Sequence, residues 1–278
     1  MKYISIIFFI FVSVNLFSQK KNEYNQYMIS EVIFESVIDE DSYCAKYFYG
    51  NNNCLDKIIK TYRIKNDKYV EIYQLNELSN KIINVLHYKN NKIIKEIEHY
   101  YVLNNNGLIE REEYVNYLEN YFYKTKMEYN KYLELTRIIK EEGIVKTKEP
   151  YKTEYNIIWN NGNICKDILY INNDIEYPIT SSFIYNSMNH CINNTNLNFN
   201  FLIGTPSFRR IVSNIVFSTE WVGKNTNLVI YSDKNSIKYN DGYNEIRVNN
   251  NKIEYICSIR KNILQEKPYG FYHIKYVY

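Results

Sequence analysis

The chain has 278 residues, with 34 lysines and arginines, 31 aspartates and glutamates, and 17% aromatic residues, among them 31 tyrosines. A mean hydropathy of −0.46 excludes a membrane protein of many apolar helices, and the aromatic content excludes an intrinsically disordered chain. The net charge of +3 combines both signs without a basic stripe, so we expect no nucleic-acid partner.

The first eighteen residues have the layout of a secretory signal. Lys2 precedes a largely apolar run from residue 3 to 14, and the polar Gln19-Lys20-Lys21 follows Ser18. The run is shorter than the ~20 apolar residues that a membrane-spanning helix needs. We therefore predict a signal peptide over 1–18 and export to the periplasm, the cell surface or the extracellular space; a buried N-terminal strand or short anchor is the alternative.

Residues 27 to 278 alternate short β-type segments with asparagine-rich turns. The segments are rich in Ile, Val, Tyr, Phe and Thr, which favour strands. The clearest ones are residues 57–65, 69–75, 81–88, 92–103, 108–118, 151–159, 164–171 and 252–260. Asn106-Gly107, Asn161-Gly162 and Asp241-Gly242, and more weakly Asn90-Asn91, are turn centres that tolerate the positive φ of tight hairpins.

Successive strands joined by such turns pair with each other. The pattern predicts an all-β fold: an antiparallel meander in a curved or partly closed sheet, with few or no helices. We expect residues 19–278 to form one continuous domain with a possible seam at 141–150. Residues 119–140 lack Gly and Pro and could form a helix, but Tyr121, Tyr123 and Tyr129 follow a period of two, which favours strand.

Two strand-turn units combine a tyrosine, an asparagine-rich turn and a glycine, at residues 101–109 and 155–164. They are similar to the tyrosine-and-turn repeats of bacterial cell-envelope proteins. Residues 155–164, 185–204 and 210–217 further resemble an uncharacterised family of exported, often lipid-anchored bacterial envelope proteins. The resemblance covers the C-terminal half and implies a porin-like β fold, an envelope location and no catalytic residues, although the cysteine of lipid-anchored members is missing after the predicted signal.

Five cysteines leave at least one without an intramolecular partner. Cys44 and Cys54 enclose the tip of a predicted hairpin and are the candidate disulfide. Cys165, Cys191 and Cys257 lie in separate segments and read as small buried apolar residues.

No metal site and no cofactor are predicted. If Asn90-Asn91 centres a regular hairpin, His87 and His99 lie five positions apart along the strands, ~17 Å and too far for a shared metal. Glu110 and Glu112 would share a strand face and could act as the acid and base of glycoside cleavage. Two carboxylates on a solvated strand face would show the same spacing. A carbohydrate-active enzyme is thus one alternative, and we lean against an enzyme.

The aromatic residues are the one feature with a binding pattern. Two alternating rows, Tyr121, Tyr123 and Tyr129 in one segment and Tyr151, Tyr155 and Trp159 in another, would each display rings on one face. Such rows suit a glycan or an envelope protein as partner, although aromatic residues on a core face would show the same alternation. We therefore expect an exported cell-envelope protein with a non-catalytic binding or structural role.

An outer-membrane β-barrel is the other alternative. Tyr272, Ile274, Tyr276 and Tyr278 share a face and resemble the last strand of such proteins. A lipid-facing band must remain apolar, however, and the segment Glu110-Arg111-Glu112-Glu113 would place charges on both faces of its strand.

Overall fold

In the computed structural model, the structure describes residues 28–37, 42–51, 55–76, 81–145, 150–160, 163–171, 179–185, 229–234, 242–249, 252–262 and 265–277. These residues form seventeen strands: β1 (Met28–Ser36), β2 (Tyr43–Tyr49), β3 (Leu55–Ile64), β4 (Asp67–Leu75), β5 (Ile82–Lys89), β6 (Lys92–Ile93), β7 (Ile97–Leu103), β8 (Ile109–Asn116), β9 (Tyr121–Tyr129), β10 (Leu135–Ile144), β11 (Tyr151–Asn160), β12 (Asn163–Ile171), β13 (Ile179–Tyr185), β14 (Val229–Lys234), β15 (Gly242–Asn249), β16 (Lys252–Asn262) and β17 (Gln265–Val277). No helix capable of crossing a membrane occurs in these ranges.

The strands pair in chain order and always antiparallel. The two-residue β6 pairs only with β5, and β5 continues the sheet by pairing with β7. β1 pairs with β2 on one side and with β17 on the other, from Met28 opposite Val277 to Ser36 opposite Gly270. The pairings of the described strands thus return to their starting point. The predicted all-β antiparallel meander is confirmed.

Asparagine and glycine make the reversals where the sequence indicates them. Asn90 and Asn91 join β5 to β6 with φ of 49° and 65°, and Gly107 has φ of 77° between β7 and β8. Two consecutive positive φ values match the right-handed twist of the strands, which explains the tight β5–β6 turn. The turn centre Asn161-Gly162 lies outside the described residues, and so does Asp241.

The segment 119–140 is strand, as the alternation indicates, because β9 and β10 pair from Leu135 opposite Tyr129 to Ile144 opposite Tyr121. β10 also pairs with β11, so strands on either side of the possible seam at 141–150 are neighbours. The predicted signal peptide, residues 1–18, and most of the segments that carry the family resemblance, residues 186–228, lie outside the described residues.

Alternation along each strand divides the side chains between an inner and an outer face. The inner face carries the apolar core, whose largest fully buried members are Tyr73, Tyr101, Tyr272, Ile29, Ile58, Ile83, Ile109, Leu135 and Ile138. Each such side chain contributes ~1.5–3 kcal/mol by leaving water. The outer face carries ion pairs, for example Lys126 with Glu128 at 2.8 Å and Arg137 with Glu154 at 2.7 Å.

Candidate binding chamber

The inner face is not apolar throughout. Towards the end where β3 turns into β4 and β8 into β9, it encloses a chamber of about 530 Å³. Its walls carry six tyrosines, and its floor carries one glutamate and two histidines; in the order of the chain these residues are Tyr62, Tyr69, Glu71, His87, Tyr88, His99, Tyr114, Tyr121 and Tyr123.

Strand register brings these side chains together. Glu71 on β4 pairs with His87 on β5, and His99 on β7 pairs with Tyr114 on β8. Since residues that pair share a face of the sheet, both pairs point inward with the core. Glu112, the cross-strand partner of Tyr101, lies beneath the chamber.

Glu71 is only 8% exposed, and its carboxylate is held by hydroxyl groups. Tyr62 Oη donates to Oε1 at 3.0 Å and Tyr73 Oη donates to Oε2 at 2.5 Å, while Lys60 Nζ lies 3.8 Å from Oε2. Burial alone would raise the pKa of Glu71, but the Lys60 ammonium and the Tyr73 hydroxyl help to outweigh it and hold the pKa below its usual value. Glu71 is therefore ionised at neutral pH.

Glu112 repeats this arrangement on the other side of the histidines. It is 1% exposed, and its Oε1 accepts hydrogen bonds from Tyr101 Oη at 2.8 Å, Tyr123 Oη at 2.8 Å and His99 Nε2 at 3.0 Å. Burial raises the pKa of Tyr101, and the Glu112 charge adds to the effect, so this hydroxyl remains a donor. Two buried carboxylates are thus each satisfied by two tyrosines.

The two histidines connect the carboxylates. His87 Nε2 lies 2.9 Å from His99 Nδ1, and the two rings stack with 5.2 Å between their centres. Burial lowers the pKa of His87 to about 4, so its imidazole is neutral at pH 7. We refer to Lys60, Glu71, His87, His99 and Glu112, with their tyrosine hydroxyl donors, as the floor network.

The expected ~17 Å separation of His87 and His99 is wrong. Tyr88 pairs with Ile93, as a hairpin centred on Asn90-Asn91 requires, but Ile82 pairs with Val102. Residues 94–96 insert three positions between β6 and β7, which moves His99 three places along and brings it diagonally opposite His87.

The expectation that Glu110 and Glu112 share a solvated face is also wrong. Val102 pairs with Arg111 but Leu103 pairs with Ile109, so a bulge places one extra residue in β8. A bulge reverses the alternation of side chains beyond it. Glu110 is consequently exposed, whereas Glu112 points into the core.

The structure brings one predicted aromatic row partly to the chamber. Tyr121 and Tyr123 line it, while Tyr129 on the same face donates to the Ile109 carbonyl at 2.8 Å and packs against the core. The other row does not reach the lining: Tyr155 is buried, and Trp159 Nε1 donates to the Leu135 carbonyl at 2.7 Å.

Tyr151, the last member of the predicted rows, is 40% exposed at the start of β11. It lies opposite Glu142 of β10 and does not line the chamber. A binding role stays a prediction for both rows. Tyr121 and Tyr123 are the members that line the chamber, and Tyr62, Tyr69 and Tyr114 join them as wall residues that the sequence did not single out.

The predicted disulfide involves one residue that lies outside the described residues, Cys54. Cys44 is a half-buried free thiol that pairs with Thr61, whereas Leu55 pairs with Tyr49. The Cys44–Cys54 bridge therefore stays a prediction.

The two buried carboxylates near the chamber lie on different strands, since β5 and β7 separate Glu71 on β4 from Glu112 on β8. Each of them accepts hydrogen bonds from two tyrosine hydroxyls. Across the described ranges, no three His, Cys, Asp or Glu side chains form a group able to hold a metal ion.

No protein-family model matches the chain, and no curated protein matches its sequence. Solved structures do match. A porin-like protein from Bacteroides uniformis has a TM-score of 0.62 at 12% identity, over 90% of this chain and 98% of that chain. The chain shares the fold of porin-like proteins from Bacteroides. A second one, from Bacteroides vulgatus, has a TM-score of 0.50 at 13% identity, over 91% of this chain and 99% of that chain.

Proposed function

We propose that this protein is exported to the cell envelope and acts there as a non-catalytic binding protein, with a small polar ligand held in the tyrosine-walled chamber. The observation that carries the proposal is the chamber itself. Its volume falls within the ~300–1,000 Å³ of ordinary ligand sites, and polar groups converge on its floor.

The floor network favours binding over a purely structural role. A core made only for stability gains little from buried charges, because replacing them by apolar groups is often neutral or stabilising. Here two carboxylates are desolvated and fixed by tyrosine hydroxyls, so their orientation is set before a ligand arrives. Preorganised acceptors beside an open space suit recognition of a polar molecule.

Three observations support an envelope location. The first eighteen residues have the pattern of a signal peptide, the C-terminal half resembles exported envelope proteins, and the fold is that of porin-like proteins from Bacteroides. The ion pairs on the outer face, such as Arg137 with Glu154, favour water around the sheet over lipid.

A binding screen tests the proposed role. We expect the purified protein to bind at least one small glycan or other polar metabolite in a glycan array or a thermal-shift panel. Tyr114→Ala, which opens the chamber wall, should abolish the response, while Tyr132→Ala, at a 69% exposed turn position, should preserve it. A ligand that binds both variants equally would place binding elsewhere, and a complete lack of ligands would leave a scaffold role.

Export is tested separately. An arginine in place of Val12 interrupts the apolar run, so the variant should stay in the cytoplasm with residue 1 intact. Fractionation followed by N-terminal sequencing measures this, with the natural chain as reference. Continued export of Val12→Arg would contradict the proposed signal.

A further inference from the structure

The floor of the chamber holds an unusual pair of groups. His87 Nδ1 and Glu71 Oε1 lie 3.9 Å apart, too far for a hydrogen bond with each other. Both residues are nearly buried, and both line the chamber. The kind of group that can hydrogen-bond to both atoms depends on whether either of them carries a hydrogen.

The floor network fixes the hydrogens. A carboxylate only accepts, so His99 Nε2 carries the hydrogen that bonds to Glu112. In the tautomer that leaves His99 Nδ1 without a hydrogen, this atom accepts, and His87 Nε2 donates to it over 2.9 Å. His87 Nδ1 is left with a lone pair that faces the Glu71 carboxylate.

Two acceptors therefore face each other across 3.9 Å, and no hydrogen-bond donor to His87 Nδ1 is found in the described part of the chain. A donor with two or more hydrogens, seated between the two atoms, satisfies both. A hydroxyl group has one hydrogen and satisfies only one of them. Among the groups that a ligand can present, the geometry thus favours a nitrogen donor over an alcohol.

The charged side chains around the chamber also favour an amine. The carboxylates of Glu71 and Glu119 line the chamber and that of Glu112 lies beneath it, against the ammonium groups of Lys89 in the lining and of Lys60 beside Glu71. Three negative groups against two positive ones favour a cationic ligand. The Lys140 and Glu142 pair on the neighbouring strand is balanced.

The tyrosine walls accept ammonium groups already. Lys60 Nζ lies 5.5 Å from the ring centre of Tyr62, and Lys89 Nζ lies 5.7 Å from that of Tyr69. Ring faces attract cations within ~6 Å, so walls of this composition are compatible with a positively charged guest.

We propose that the chamber recognises its ligand through a primary ammonium group, which donates hydrogen bonds to Glu71 Oε1 and His87 Nδ1. This inference rests on the proposed binding function and names the chemical class: an amine-bearing small molecule, such as an amino sugar.

A matched set of sugars tests the proposal. Glucosamine, glucose and N-acetylglucosamine differ only in the group at one carbon: ammonium, hydroxyl and neutral amide. Isothermal titration of the purified protein at pH 7 should show glucosamine binding at least about ten-fold more tightly than the other two, as expected for a charge-assisted contact. Equal affinity for glucose and glucosamine would overturn the amine inference but leave binding in the chamber intact.

Variants locate the contact. Glu71→Gln should remove the preference for glucosamine, while Glu113→Gln, which changes an outer-face glutamate paired with Arg111, should retain it. Circular dichroism shows whether Glu71→Gln folds. If it does not fold, the affinities of the natural chain for the three sugars still test the proposal. A preference that survives in a folded Glu71→Gln variant would overturn the proposal, as would binding of neutral glycans alone. Failure of every polar ligand would overturn the proposed function as well.

Discussion

The ring of Phe34 on β1 lies against Gly270 on β17, where a Cβ atom would stand 2.3 Å from Phe34 Cε2 and 3.0 Å from the Glu35 carbonyl oxygen. The ring is confined because it also packs on Tyr272, with 4.6 Å between ring centres. We expect Gly270→Ala to lower the free energy of unfolding by about 1–3 kcal/mol, as measured by urea denaturation.

A second glycine supplies the control. Gly107 has φ of 77° and open space around its Cα, and asparagine tolerates that conformation, so Gly107→Asn should change stability by less than about 0.5 kcal/mol. Combining Gly270→Ala with Phe34→Leu should recover part of the loss. An alanine at position 270 without effect would contradict the close contact between β1 and β17.

Glu112→Gln tests the floor network as a determinant of stability. The substitution removes the charge that three donors share and directs an amide N–H₂ towards hydroxyl and imidazole hydrogens. Hydrogen bonds to a buried charge are worth ~1.5–3 kcal/mol each, and we expect a total loss of about 2–4 kcal/mol in urea denaturation. Its chain neighbour Glu113 faces outward beside Arg111, so Glu113→Gln should cost less than about 1 kcal/mol. Equal losses would mean that Glu112 is not buried.

Stability should depend on pH through His87. Its pKa is lowered by burial to about 4 in the folded protein, despite the opposing charge of Glu71 and with the help of His99 and Lys60, while an exposed histidine has a pKa near 6.5. Between these two values the unfolded chain binds a proton that the folded chain does not. The free energy of unfolding therefore falls as pH is lowered from ~6.5 to ~4, by about 3 kcal/mol in all.

The difference in the free energy of unfolding between the natural chain and His87→Gln, measured at each pH, separates the contribution of His87 from that of the carboxylates. The difference should shrink or reverse towards pH 4, because the variant lacks the proton uptake. His273→Gln, at an exposed position on the outer face, is the control for the loss of a histidine. A pH-independent difference for His87→Gln would contradict a buried neutral imidazole.

Cys44 should behave as a shielded thiol. Burial raises the pKa of Cys44, so alkylation by iodoacetamide at pH 8 should be slow in the folded protein and fast in urea without reductant. Peptide mapping by mass spectrometry reads the label, with Cys165 as the internal reference. Labelling in urea that requires reductant would instead support the predicted bridge to Cys54.

Local signals in the sequence predict the strands well and the chamber poorly. Turns such as Asn90-Asn91 depend on adjacent residues, so the β5–β6 hairpin can be predicted from the local sequence. The floor network depends on two irregularities, the insertion at residues 94–96 and the bulge that precedes Glu112, each of which shifts a register by an amount that composition does not reveal. A shift of one position moves a side chain to the opposite face, and so Glu112 reads as solvated.

The sequence of β7 does not show which of its faces is buried near His99. His99 and Tyr101 alternate with Glu98 and Tyr100, so both faces carry polar side chains. Leu103, an apolar residue of the buried face, lies at the other end of the strand.

The pairing of β1 with β17 joins residues that stand as much as 249 positions apart, as between Met28 and Val277. Contacts over such a distance are slow to form, and a sheet assembled without its closing strand presents two rows of unpaired backbone amides and carbonyls. Until β17 pairs with β1, these edges of the partly folded chain are open to pairing with other chains.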